Sequence, residues 1–432
     1  MAMLDSWAGR WRARSILVVN RVAMTGFSLV GDPLAIVVRP GRRDDIYAVY
    51  ERVRRQGDLA TSRVGVRTVT SRALCDEVLR DPRFGVEAPP GMTGPTGPPD
   101  LDAGGPLAGS FVELDPPRHT RLRRLTAPAF RPKLIRDFAP AVEGALTEIL
   151  QPLEGRASFD LMSEVAGPFP IAVISRLLGI PAADTAEFRR MGELVGQSLD
   201  GVRTVRQARQ LREAGRELDA LFRRLAEERR QEPQDDVISL LADAESDGRL
   251  AAQDLVATCG LLLVAGFETT VNLIGNGMVA LQQDRTQWER LVAEPTRAEA
   301  IVEEALRWDP PVQMTVRIAQ EDLTLNGERV ARGAVVALFL AAANRDPAAY
   351  AEPDRFDPDR KGEPEHLAFS SGIHYCLGAP LARLEGAIIF RVLAERWPDL
   401  SLLPGARRRS GATIRGFATL PVRPGRMPAH SR

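Results

Sequence analysis

One run constrains the fold more than any other. From Leu255 to Leu281 the chain is apolar for longer than the roughly 20 residues that cross a bilayer. Yet Glu268, Thr269, Thr270, Asn272 and Asn276 stand inside it, and lipid penalises such groups heavily. A helix through the centre of a large protein tolerates them better, because other segments can supply partners. The run therefore predicts one long buried helix. A chain of 432 residues with 44% apolar and 26% charged residues has material for a core around it.

The remaining pattern is mainly α with small β-sheets (α+β). Residues 46–55 have helical spacing, 63–70 alternate with β-branched residues, and 71–79 read as a capped helix ended by Asp81-Pro82. Between Ala88 and Pro106 stand six Pro and five Gly, a composition that supports neither helix nor strand and predicts a mobile loop or lid. Helical patterns resume at His119 and run, broken at prolines, to about Leu306. Residues 316–340 read as strands with a turn at Asn326-Gly327, 382–396 as a helix, and 413–419 as a short terminal strand pair. No repeat or linker divides the chain, so the expectation is a leader over 1–31 and a single domain over 32–432.

Several partners are disfavoured. Lys plus Arg and Asp plus Glu number 57 each, so net charge gives no reason to expect nucleic acid. Cys75, Cys259 and Cys376 are odd in number and far apart, which is no disulfide framework and fits a reducing cytoplasm. The leader shows no secretory cleavage pattern. Its Ile16–Val19 run is too short for a transmembrane anchor, and Trp7, Trp11 and their neighbouring arginines read as a frayed start or, as the alternative, a segment lying on a membrane surface.

Two clusters carry chemistry. Phe369-Ser-Ser-Gly372-Ile-His374-Tyr-Cys376-Leu-Gly378 sets a cysteine on a glycine-flanked turn. A thiolate that ligates haem iron needs such a setting: shielded from water, tempered by backbone N–H donors, with Gly372 and Gly378 leaving room for a porphyrin. An isolated cysteine is usually a buried free thiol in an ordinary turn, but four matching positions in ten residues weigh against that reading here. The second cluster, Ala265-Gly266-Phe267-Glu268-Thr269-Thr270, puts an acid and a hydroxyl inside the long helix. Gly266 leaves space for a flat ligand, Thr269 can bond the carbonyl four residues back, and Glu268 can move protons. The alternative is a structural Glu paired with a distant Arg.

The cysteine turn resembles the Phe-x-x-Gly-x-His-x-Cys-x-Gly signature of the cytochrome P450 family, and the helix resembles that family's Ala/Gly-Gly-x-Asp/Glu-Thr. The resemblance extends from about Asp32 to the end and implies that family's fold, a long central helix over haem with a proximal cysteine turn. It implies haem b as cofactor, Cys376 as axial iron ligand, and His119, Arg123, Arg317 and His374 on the propionates. Glu268 and Thr269 would be catalytic. Glu304 and Arg307, which share a helix face, would join Arg355 in a structural cluster, with Phe369 packed on the sulfur. Leu261, Val264, Ala265, Val312, Gln313 and Ile414 would face a lipophilic small molecule such as a macrolide, terpenoid or steroid. The implied reaction inserts one oxygen atom of O2 into a C–H or C=C bond. Electrons would come from a ferredoxin- or flavodoxin-type donor with its reductase, for which Arg121 and Arg124 suggest a docking patch. Peroxygenation, desaturation and oxidative coupling are alternatives on the same fold, and a non-enzymatic haem sensor or carrier is a remoter one.

Overall fold

The structure, a computed structural model, describes residues 22–39, 45–92, 109–196 and 204–425. Its main helices are α1 (Arg118–Thr126), α2 (Pro168–Leu178), α3 (Thr185–Gly196), α4 (Val205–Gln231), α5 (Ala252–Gln283), α6 (Ala298–Trp308) and α7 (Ala379–Arg396). Helix α5 is the long apolar run, 32 residues in length. It packs against α2, α3, α4, α6 and α7. Among the described residues it is the one helix apolar and long enough to cross a membrane, but 72% of its apolar window is buried inside the protein. Leu263, Ile274 and Met278 on α5 share one core with Phe169 of α2 and Phe390 of α7.

The polar residues of α5 have a local cause. Glu268, Asn272 and Asn276 recur every fourth residue and so form one stripe on the helix. Asn276 Nδ2 donates to the carbonyls of Asp309 (2.9 Å) and Arg415 (3.1 Å). Asn272 lies so close to Gly416 that a Cβ there would stand 1.8 Å from its Oδ1. A C-terminal segment rich in backbone acceptors thus covers the stripe, which supplies the partners a buried amide requires.

Among the described residues, twelve short strands make four sheets. The largest orders β1 (Leu59–Thr61), β2 (Arg67–Val69), β8 (Val335–Leu338), β5 (Thr315–Ala319) and β3 (Phe84–Gly85), with β2–β8 parallel and the other pairs antiparallel. β4 (Phe159–Asp160), β12 (Pro421–Arg423) and β9 (Ser401–Leu402) form a second sheet, in that order. β6 (Leu323–Leu325) pairs with β7 (Glu328–Val330) through Asn326 and Gly327, both at positive φ (49° and 77°), as the sequence predicts for this turn. β10 (Arg407–Arg408) pairs with β11 (Phe417–Thr419). A smaller core beneath the main sheet holds Val69, Cys75, Val78, Val336 and Leu338.

Element boundaries shift where local signals are weak. The helix expected from Ala382 begins at Ala379, because Pro380 fits a first turn, where no N–H is needed. Ser71 caps Arg72–Arg80 by accepting from the Leu74 N–H. Residues 22–29 of the expected leader are helical, and 1–21 lie outside the described residues, as do 93–106 of the Pro- and Gly-rich stretch.

Candidate active site

The cysteine turn is held from both sides. Cys376 N–H donates to the Phe369 carbonyl at 2.8 Å, and α7 starts three residues after the cysteine. Gly372 has φ +65°, and a Cβ there would meet the Leu79 carbonyl at 2.3 Å, so only glycine fits. The neighbouring helix is thus a reason for glycine here that the sequence reading did not foresee. At Gly378 a Cβ would be 4.0 Å from Cys376 Sγ, an ordinary contact. Cys376 is half-buried, yet enough protein surrounds its sulfur that burial pushes the thiol pKa up. Backbone N–H groups of Gly378 and Ala379 and the charges of Arg123 and Arg383 act against that rise. Cys75 and Cys259 are fully buried thiols whose pKa burial also raises.

Four basic side chains from three elements converge beside this turn. His119 and Arg123 share a face of α1, Arg317 lies on β5, and His374 precedes the cysteine by two residues. The His119 and His374 rings are 4.4 Å apart. Arg123 donates to the Tyr375 carbonyl, and Arg317 to the Val316 carbonyl at 2.9 Å. Burial lowers the pKa of His119; burial with the charges of Arg317, His119 and Arg123 lowers that of His374 to about 3. Burial likewise brings Arg317 down to about 10. Asp115, the carboxylate acting on His119 and Arg317, is already bonded to the N–H groups of Val86 and Glu87. Both ring nitrogens of His119 and Nε2 of His374 are buried with no protein partner. So many donors and so few acceptors suit a ligand with two carboxylates, and haem is such a ligand.

On α5, Ala265 is exposed although Val264 and Phe267 beside it are buried. Leu261 and Thr269, one turn to either side, share its face. Thr269 Oγ1 donates to the Ala265 carbonyl at 2.6 Å. Glu268 is 2% exposed; Arg409 pairs with its carboxylate, and Asn272 Nδ2 stands 3.4 Å away. Gly266 does not face that open side: a Cβ there would touch Ile174 of α2 at 3.4 Å.

Two expected substrate contacts are elsewhere. Val264 has no exposed surface, because one residue on from a lining position turns the side chain about 100° into the core. Gln313 is 1% exposed and uses both ends of its amide, accepting from Tyr50 Oη (2.9 Å) and donating to the Pro310 carbonyl (2.6 Å), so it braces the scaffold. Val312 and Ile414 do come together, in an isolated antiparallel bridge.

Glu304 and Arg307 form a bidentate pair at 2.7 Å, each 4% exposed. The second arginine on Glu304 is Arg360, at 3.1 Å, and not Arg355. Arg355 contributes its carbonyl to Arg307 (2.9 Å) while its side chain turns outward to Glu352 (3.2 Å). A backbone acceptor at 355 fixes the local geometry and leaves that side chain free to hydrate, whereas Arg360 is aimed inward. Arg121 is committed to Asp254 at 2.8 Å, and Arg124 is exposed. Sequence reasoning missed Arg360, Arg409 and Arg383; each meets its acid across a long loop or between separate elements, and no spacing rule marks that.

A family model described as cytochrome P450 matches residues 98–397. Cytochrome P450 140 of Mycobacterium tuberculosis is 35% identical over 429 residues, covering 96% of each chain. Cytochrome P450 monooxygenase PikC of Streptomyces venezuelae is 38% identical over 393 residues, 88% of this chain and 91% of its own. The ligand-free crystal structure of CYP164A2 from Mycobacterium smegmatis superposes with a TM-score of 0.81 at 38% identity, over 90% of this chain and 99% of that one. With kinship spanning nearly the full length and the fold shared as well, the chain belongs to the cytochrome P450 family.

Proposed function

We propose that this cytochrome P450, an oxidoreductase of a haem-dependent family, inserts one oxygen atom of O2 into a C–H or C=C bond of a lipophilic small molecule. The cofactor is haem b, the compartment the cytoplasm, and the working unit one domain from residue 32 onward. Electrons come from a separate ferredoxin- or flavodoxin-type donor. The observation that carries this reading is the convergence of His119, Arg123, Arg317 and His374 on the turn that bears Cys376, with nitrogens of both histidines buried and without a hydrogen-bond partner.

When bound, haem supplies O2 activation at its iron. The chain does the rest. Arg123, Arg317 and the two histidines would hold the propionates and so orient the ring. Cys376 would hold the iron as thiolate, its charge tempered by the Gly378 and Ala379 N–H groups and by Arg123 and Arg383. Thr269 holds a proton at Oγ1, parked on the Ala265 carbonyl until needed. Glu268, whose carboxylate is paired with Arg409, would have to leave that arginine and take up a proton from solvent before passing it to the Thr269 hydroxyl, which gives up its own in turn. Ala265 and Val312 present apolar surface, backed by the buried Leu261 and Ile414, and would orient an apolar substrate and exclude water.

The deciding experiment is the carbon monoxide difference spectrum of the reduced protein, wild type beside Cys376→Ala. A strongly red-shifted Soret band in the wild type alone supports thiolate ligation. Bound haem without that band in either protein ends the proposal.

A further inference from the structure

One of the two arginines that temper the sulfur, Arg383, belongs to a charged cluster next to the cysteine turn. Arg383, in the first turns of α7, donates to both carboxylate oxygens of Glu303 on α6 (2.6 and 3.0 Å) and to Tyr375 Oη (3.0 Å). His366 Nε2 lies 3.4 Å from the same carboxylate. The Arg383 guanidinium carbon sits 4.7 Å from the centroid of the Phe369 ring, a distance for cation–π attraction. Phe369 and Tyr375 belong to the cysteine turn itself, one accepting the Cys376 N–H and the other preceding it. Arg383 therefore acts on the sulfur through two of its immediate supports. Its field, like that of Arg123, favours the anionic sulfur. The cluster borders a surface cleft of about 310 Å³, so its members can be changed without opening the core.

We propose that the Glu303–Arg383 pair sets the reduction potential of the haem, with Arg383 raising it and Glu303 cancelling part of that effect. The inference rests on the haem-thiolate reading above. Reduction delivers one electron from the redox donor to the iron and adds one negative charge beside the turn. A nearby cation stabilises that added charge and an anion opposes it. Hydrogen bonds and charges around a ligating sulfur are general levers on such potentials. Arg383 and Glu303 are positioning residues in this scheme, since neither touches the iron.

The test is an optical redox titration of the holoenzyme, wild type beside Glu303→Gln, Arg383→Gln, Arg383→Lys and the double glutamine variant. Glu303→Gln leaves Arg383 unscreened and shifts the potential positive. Arg383→Gln leaves the acid and shifts it negative. Arg383→Lys keeps the charge and stays near wild type, and the double variant falls between the two single ones. Shifts of the same sign in both glutamine variants, or none in either, overturn the inference, because lost packing carries no sign of charge. The carbon monoxide band of each reduced sample separates two failures. A retained band with unmoved potentials defeats the inference alone, whereas a wild type without the band defeats the haem-thiolate reading and the inference with it.

Discussion

A carboxylate in the middle of a buried helix needs a cation, and Glu268 finds one in Arg409, 141 positions later in the chain. Its next turn is tied as well, since Asn272 Nδ2 donates to the Glu268 carbonyl at 2.7 Å. Gly196, at the end of α3, packs so close that a Cβ there would stand 2.8 Å from Glu268 Oε2. For a proton donor held this way, Glu268→Gln should slow product formation by about a hundredfold or more, the usual yield of general acid catalysis. The substrate-induced spectral shift should be unchanged, because the glutamine occupies the same volume. Turnover measured beside a binding titration checks this, and an equal loss in both would count against a catalytic role. The basic cradle makes a separate prediction. A charge-assisted hydrogen bond is worth about 1.5–3 kcal/mol, so His374→Ala should weaken haem affinity by about ten- to a hundredfold, read by titrating apoprotein with haem. Both histidines were visible as candidates because the cysteine motif and the four-residue spacing on α1 are local. Arg409 was not, because nothing near it in sequence points to Glu268.

At the scale of elements, the cluster on Glu304 locks α6 to the segment after β8. Glu304 Oε1 accepts from the Asp357 N–H (2.8 Å) and Arg360 Nε (3.1 Å), and Arg307 reaches the carbonyls of Asn344, Pro353 and Arg355. Removing one partner of a buried pair leaves the other charge stranded, at a cost of about 3–5 kcal/mol. Glu304→Ala should therefore lower unfolding free energy by about that much in urea titrations. Arg355→Ala should change it by no more than about 0.5 kcal/mol, as for most exposed positions. Equal losses would restore Arg355 to the cluster. The Glu304–Arg307 half was legible because three residues apart is one helix face. The third member was misassigned because the loop between 353 and 360 has no period from which direction can be read.

For the whole molecule, acids held by arginines make stability depend on pH. Burial alone would raise the Glu303 carboxyl, but hydrogen bonds and charges from His366 and Arg383 outweigh it and bring the pKa down to about 2. Asp309 behaves alike: burial raises it, while Arg415, Arg408, Arg345 and the Tyr47 hydroxyl together lower it. A carboxyl whose pKa is depressed on folding contributes stability that is complete above its unfolded value, here 4.5 for Glu303, and lost as pH falls toward the folded one. Thermal unfolding should show a midpoint falling between pH 5 and about pH 2, with a shallower fall in Glu303→Gln. Asp309 also ties together remote parts of the chain, accepting from Tyr47 Oη (3.0 Å) and Arg415 Nε (2.9 Å). Such a hub has no signature in the chain, since its partners lie 262 and 106 residues away. The buried central helix, the mixed α and β pattern, the cysteine turn and the family are legible in the chain, because hydrophobic period and short motifs are properties of neighbouring residues. Folding settles which arginine meets which acid, that Gln313 and Val264 turn away from the open side, and that Gly372 lies against Leu79. Those outcomes depend on the direction of side chains from elements far apart in the chain, and direction is set by packing rather than by spacing.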